Sequence, residues 1–260
     1  MRIHTQKMDL LVGSLLLRPY VFLFLAAFLV AGRRDLGLGR TLRFGAVVWP
    51  IAWLAEFCST RVGVPFGLYH YTGLTRGQEL YIADMPFFDS LSFTFLAYAA
   101  VCLARYVLAG PRTSAIALAV VTGLLMMLLD VVIDPVAVRG ERWFLGRIFY
   151  YPDGGVYFGV PLSNFAGWWL VGAVGTGLYR CIEGSAGPRT PAVQRGRVGA
   201  GIALYYGVLA FNLAVTAWIG EWRLLAAGLA VHALLALTFG VIVRRRPAPS
   251  AVGTGEIEQV

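Results

Sequence analysis

Apolar runs approaching the roughly 20 residues that span a bilayer recur along the chain at about 10–32, 41–58, 86–108, 113–133, 161–182, 200–219 and 224–243. Nothing else in the sequence constrains its fold so strongly. Backbone polar groups in hydrocarbon must be satisfied within their own segment, so such runs fold as helices. The expectation is an all-α integral membrane protein, a bundle of about seven transmembrane helices with two interfacial capping loops. Composition agrees: with 58% hydrophobic and 14% charged residues, the chain has too little polar surface for a soluble globule. No domain boundary interrupts the pattern, so 1–243 reads as a single polytopic membrane domain and the Pro-, Ser- and Gly-containing 244–260 as a disordered tail. The first run exceeds a signal-peptide apolar core and is followed by further spans, which favours a retained helix.

The 22 basic residues outnumber the 14 acidic ones for a net charge of +8, yet Lys7 is the sole lysine and the arginines fall mostly between apolar runs. This is a topology signal rather than a nucleic-acid footprint, and no nucleic-acid partner is expected. With seven spans, Arg33, Arg34, Arg40, Arg43, Arg105, Arg112, Arg180, Arg189, Arg195, Arg197 and Arg244 to Arg246 share one side, which is then cytoplasmic. The poorer side holds Arg2, Lys7, Arg61, Arg76, Arg139, Arg142, Arg147 and Arg223. Arg18, followed by Pro19, is left inside the first run. It either pairs with a carboxylate from another helix or snorkels to the near interface.

Two stretches concentrate polar and aromatic residues at the ends of spans. The first, 56–71, reads EFCSTRVGVPFGLYHY. Gly63, Pro65 and Gly67 rule out a regular helix through it, because glycine lowers helix propensity and proline removes a backbone donor. The loop 59–84 is therefore expected to fold back over the bundle. The second contains Asp130 and Asp134, four apart and so on one helical face, then Pro135, expected to end the fourth span. A loop at 136–160 follows with Trp143, Tyr150 and Tyr151, and then G-V-P-L-S-N-F-A-G-W at 159–168. Asp89 falls in the first turn of the third span, where a carboxylate suits the helix dipole.

Glu56, Asp89, Asp130 and Asp134 all lie within or at the edge of apolar spans on one expected side, and carboxylates so placed are functional candidates by default. Two of them four residues apart in an apolar setting compete for ionisation, so one keeps a proton that it can donate. Asp130 and Asp134 are the candidate acid pair, Glu56 the candidate base, and Asn164 a candidate to hold water through its amide or to bond another helix. Tyr69, Tyr71, Trp143, Tyr150, Tyr151 and Trp168 are candidates to line an apolar slot. A plainer reading has the acids capping or pairing, Glu56 with Arg18 or Arg61, and the aromatics forming an interfacial belt. Cysteines 58, 102 and 181 and histidines 4, 70 and 232 are too scattered for a metal or disulfide framework.

Glu56, the G-V-P-F-G-x-Y-x-Y of 63–71, Pro86, the D-x-x-x-D-P of 130–135 and the G-V-P-L-x-N-F-x-G-W of 159–168 together resemble the membrane carotenoid biosynthesis family. That family includes hydratases acting on acyclic carotene ends. The resemblance covers about 10–243 and departs at 87–93, where FFDSLSF replaces an expected further Pro and a Trp. It implies a cofactor-independent carotenoid hydratase of the hydro-lyase type, multi-pass in a bacterial or archaeal cell membrane. Its substrates are then water and a long polyene taken from the lipid, and other carotenoid enzymes are its neighbours. The nearest alternative is an end-group cyclase, although the P-x-E-E or P-x-E-D signature of membrane cyclases is absent. A transporter is the non-enzymatic alternative. A retinal-binding protein would need a lysine in a late span, and a prenyltransferase a second Asp-rich motif to hold Mg²⁺.

Overall fold

A computed structural model describes residues 2–108, 114–184 and 191–245, with side chains described from 8 onward and not over 191–196. The Pro111-Arg112 connection and the tail from 246 onward lie outside the described residues. Eight α-helices follow in order: α1 (Arg2–Leu17), α2 (Pro19–Asp35), α3 (Leu38–Val62), α4 (Phe87–Leu108), α5 (Ala115–Ala137), α6 (Leu162–Glu183), α7 (Pro191–Trp218) and α8 (Trp222–Arg244). Among the described residues, four segments are long and apolar enough to cross a membrane: Phe87–Leu108, Ala115–Ala137, Arg197–Trp218 and Trp222–Arg244.

The first apolar run is not one helix. It breaks at Arg18, and the two arms, Met8–Leu17 and Pro19–Asp35, meet at 94°. They form a fifth span only if counted as one. Pro19 sits at the start of α2, where its fixed φ suits a first turn and its missing N–H is no loss, while the residue before a proline is pushed out of the helical region. Arg18 accordingly has φ −124° and ψ 51°.

Two further boundaries differ from expectation. The helix carrying Glu56 runs on through residues 59–62 and stops at Gly63, whose φ of +76° is the left-handed cap that glycine adopts without steric penalty. Helix α5 passes through Pro135 to Ala137 instead of ending there. One missing donor does not unravel it, because Val138 N–H still closes the last turn on the Asp134 carbonyl at 2.9 Å.

The two long loops pair with each other. β1 (His70–Tyr71) runs antiparallel to β4 (Phe149–Tyr150), matching His70 with Tyr150 and Tyr71 with Phe149. A second ribbon, β2 (Tyr81–Ile82) with β3 (Met85–Pro86), leads into α4. Helix α1 lies on this loop: the Leu80 N–H donates to Ser14 Oγ at 3.1 Å, and a Cβ on Gly13 would stand 2.0 Å from the Gln78 carbonyl oxygen.

Helix α4 is the centre of the bundle, with Ala97, Tyr98, Ala99, Ala100, Cys102 and Ala104 all inaccessible. Helix α8 is covered only along a narrow strip. The tightest crossing joins α5 to α6, where Gly123 faces the Trp169 carbonyl and Gly172 faces Gly123, leaving no room for a Cβ on Gly123. Lipid tails give apolar side chains no reason to prefer one another, so such close backbone contact between small residues is what holds membrane helices together.

Candidate active site

Among the described residues, the bundle holds a cavity of about 130 Å³, lined from several sides. At roughly 10–15 Å³ per water it has room for about ten waters, the scale of an end group and not of a whole long polyene. Glu56 reaches it from α3, Asp89 from α4, Asp134 from α5, and Asn164 and Trp168 from α6. The paired loops add Phe66, Tyr69, Tyr71, Trp143, Phe149 and Tyr151. Apolar walls come from Phe93, Leu96 and Ile133, and from Phe24 and Phe211 on α2 and α7. Helices α2 and α7, on which the sequence reading named no site residue, therefore share the site.

Asp130 and Asp134 behave as one unit. Asn164 Nδ2 donates to Asp130 Oδ2 at 2.6 Å and to Asp134 Oδ2 at 2.9 Å. Trp168 Nε1 adds a third bond to Asp134 Oδ2 at 3.1 Å, and Asp130 Oδ1 accepts from the Asp134 backbone N–H at 3.2 Å. One amide on α6 thus ties both carboxyls together. Asp130 is fully buried behind the pair, whereas Asp134 meets the cavity. The Asn164 amide nitrogen is spent on the aspartates, so it bonds between helices and has no donor left for water.

Glu56 is 4% exposed, and among the described residues its Oε2 has no hydrogen-bond partner. Asp89, Asp134 and Tyr71 are its polar neighbours. It pairs with neither Arg18 nor Arg61: Arg61 lies on the Phe57 ring, 3.6 Å from its centroid. Arg18 is 1% exposed and pairs elsewhere, settling the choice between pairing and snorkelling. Its Nε and Nη2 hold Glu79 at 2.6 and 3.0 Å, and its Nη1 bonds Asp89 Oδ1. Thr75 Oγ1 donates to the same Glu79 carboxylate and meets the Tyr81 hydroxyl at 2.7 Å. A forked, charge-assisted pair of this kind is strong and directional.

Of the candidate aromatic residues, Tyr69, Tyr71, Trp143, Tyr151 and Trp168 line the cavity and Tyr150 does not. In a strand, neighbouring side chains point to opposite faces. Phe149 and Tyr151 therefore turn inward, while Tyr150 packs outward beside His70 at 5.9 Å between ring centroids. Burial and the adjacent Glu56 hold the Tyr69 and Tyr71 phenols well above the ordinary tyrosine range, so both remain donors. Trp168 stacks on Phe93 at 4.4 Å between ring centroids, giving the wall next to Asp134 an electron-rich face.

Sequence reasoning missed Glu79, Tyr20, Phe24, Phe93, Phe211 and Asn212. For Glu79 the signal was present: an acid in a loop expected to fold back over a bundle that holds an intramembrane arginine in need of a partner. The aromatics carried none, since one phenylalanine in an apolar run resembles another. Among the described residues, no three His, Cys, Asp or Glu side chains are grouped to hold a metal ion.

A family model described as "Carotenoid biosynthesis protein" matches residues 15–241. A curated relative, bisanhydrobacterioruberin hydratase of Haloarcula japonica, is 33% identical over 124 residues, which take in 48% of this chain and 39% of that protein's length. No solved structure matches the chain.

Proposed function

Because the chain belongs to the carotenoid biosynthesis protein family, we propose that it is a carotenoid hydratase, adding water across the terminal double bond of an acyclic carotenoid end. The observation that carries this reading is the Asp130–Asp134 pair, joined through Asn164 and opening by Asp134 on the same aromatic, otherwise apolar cavity as Glu56. Hydration of an unactivated trisubstituted alkene needs an acid strong enough to protonate carbon, a place for a tertiary cation and a base for the attacking water. The hydratase name of the relative points the same way.

In this reading the end group enters from the lipid while the polyene stays outside the cavity. The Asp134 carboxyl gives its proton to one alkene carbon, the π pair forming the new C–H bond. A tertiary cation is left on the other carbon, facing the Phe93–Trp168 stack. Water oxygen closes the C–O bond and its surplus proton passes to Glu56, giving a tertiary alcohol. Asp130 and Asn164 keep the Asp134 carboxyl aimed, and Asp134 recovers its proton before the next turnover. The paired loops act as a lid, and about seven spans in a cell membrane complete the architecture.

Expression in a host that accumulates an acyclic-ended carotene tests this by mass. A gain of one water is expected. An isomer of unchanged mass would mean that an internal double bond captures the cation, as in a cyclase, and an unaltered carotene would point to transport. Asp134→Asn removes the transferable proton at constant size and is expected to lower product by roughly 100-fold or more.

A further inference from the structure

Among the described residues, Glu56 Oε2 and Asp89 Oδ2 are cavity acceptors buried with no hydrogen-bond partner. A buried carboxylate oxygen without a donor is destabilising by about 1–3 kcal/mol or more, and native proteins rarely leave one so. Both residues line the same cavity, and Asp89 is a charged neighbour of Glu56. Asp89 does not reach that position by chance. Arg18 takes its Oδ1, and Glu79 holds Arg18 in turn through two bonds. The fork leaves Oδ2 as the free oxygen. Asn164, the other group suited to hold water, has committed its amide nitrogen to the two aspartates.

We propose that Asp89 is a second water-binding carboxylate of the site, so that Glu56 Oε2 and Asp89 Oδ2 together accept the two hydrogens of the water that adds to the alkene. The inference rests on the hydratase reading. A hydrocarbon end group has no donor to offer these oxygens, and the other reactant has two. A water donating both hydrogens to the carboxylates has its lone pairs left over for the cation. When the C–O bond forms, the electron pair comes from that oxygen and one of the two carboxylates takes the released proton, so nothing else is consumed. Arg18 and Glu79 are positioning residues: they touch neither water nor carotene and fix the direction of Asp89.

The test uses the full chain in membranes with an acyclic-ended carotene and D₂O, reading two quantities. One is the product bearing added water; the other is deuterium washed into the recovered alkene, which reports reversible protonation alone. In Asp89→Asn, hydration is expected to fall roughly 100-fold while deuterium entry persists; in Asp134→Asn both fall. Should Asp89→Asn not accumulate, Asp89→Glu keeps the charge for Arg18 but shifts the carboxylate by one methylene. A displacement near 1 Å is expected to lower hydration by 10- to 100-fold with exchange kept. Hydration at the wild-type rate in the variant that folds would overturn the proposal. A parallel loss of hydration and exchange would also overturn it, by making Asp89 part of the protonation or of the fold. A wild-type chain that adds no water would instead sink the hydratase reading, a result read without any variant.

Discussion

At the scale of single residues, the site runs on groups whose hydrogen bonding decides what they can do. Tyr69 and Tyr71 illustrate this. Burial first, and then the neighbouring Glu56, raise their folded-state pKa above the unfolded value, which is about 10. The sign follows from linkage: the stability contributed by the protonated phenols is whole below pH ~10 and is lost as pH climbs from there toward the folded value, because the unfolded chain releases these protons first. Thermal unfolding in detergent at pH 8 and pH 10.5 checks this, with the Tyr69→Phe, Tyr71→Phe double variant losing less of its midpoint than wild type across the same interval. Glu56, Asp130 and Asp134 were legible from sequence because a carboxylate in an apolar run is destabilising enough to need a reason. Asp89 was legible on the same ground, but its pairing was not, since its partner Arg18 lies 71 positions away and no local pattern joins them. Tyr150 eludes the sequence for a local reason instead: whether a tyrosine at a loop's strand points in or out depends on a pairing register that sequence leaves unstated.

At the scale of elements, the site's geometry is set by how closely α5 and α6 approach. The bonds from Asn164 and Trp168 to the two aspartates span that crossing, and Gly123 sits in it with its Cβ position 2.3 Å from the Trp169 carbonyl oxygen. Neither backbone atom can yield alone, so Gly123→Val drives the helices apart. We expect product formation to drop at least tenfold, because misplacement of about 1 Å is enough to do so. Folded yield, followed by size-exclusion of the detergent-extracted protein, is expected to fall as well. Gly167→Leu tests the loop by the same logic, since a Cβ at Gly167 would already stand 2.4 Å from the Phe66 ring and the rest of the leucine would take that ring's place. The apolar runs were readable as helices from composition, but bends are not a compositional property. Pro19 and Pro135 look alike in sequence. One stands at a break of 94° and the other inside a continuing helix.

At the scale of the whole molecule, the pairing of His70 with Tyr150 joins loops that are far apart in sequence and places them on one side of the bundle. Single cysteines at 70 and 150, introduced after removal of Cys58, Cys102 and Cys181, are expected to react with the same membrane-impermeant reagent from the same face; labelling from opposite faces would break the architecture. The general plan was readable because each apolar run announces itself, whereas the inward faces of α2 and α7 depend on how the runs are arranged around the cavity. The corner at Arg18 also bears on the order in which the protein is assembled. An unpaired arginine in the bilayer interior is disfavoured by about 2.5–3.5 kcal/mol on insertion scales, and its partners Glu79 and Asp89 follow it by 61 and 71 residues. At roughly 5–20 residues per second, the ribosome delivers them several seconds after the arginine has emerged. The segment around Arg18 therefore waits unfinished at the membrane and is locked into place only once α4 begins to insert.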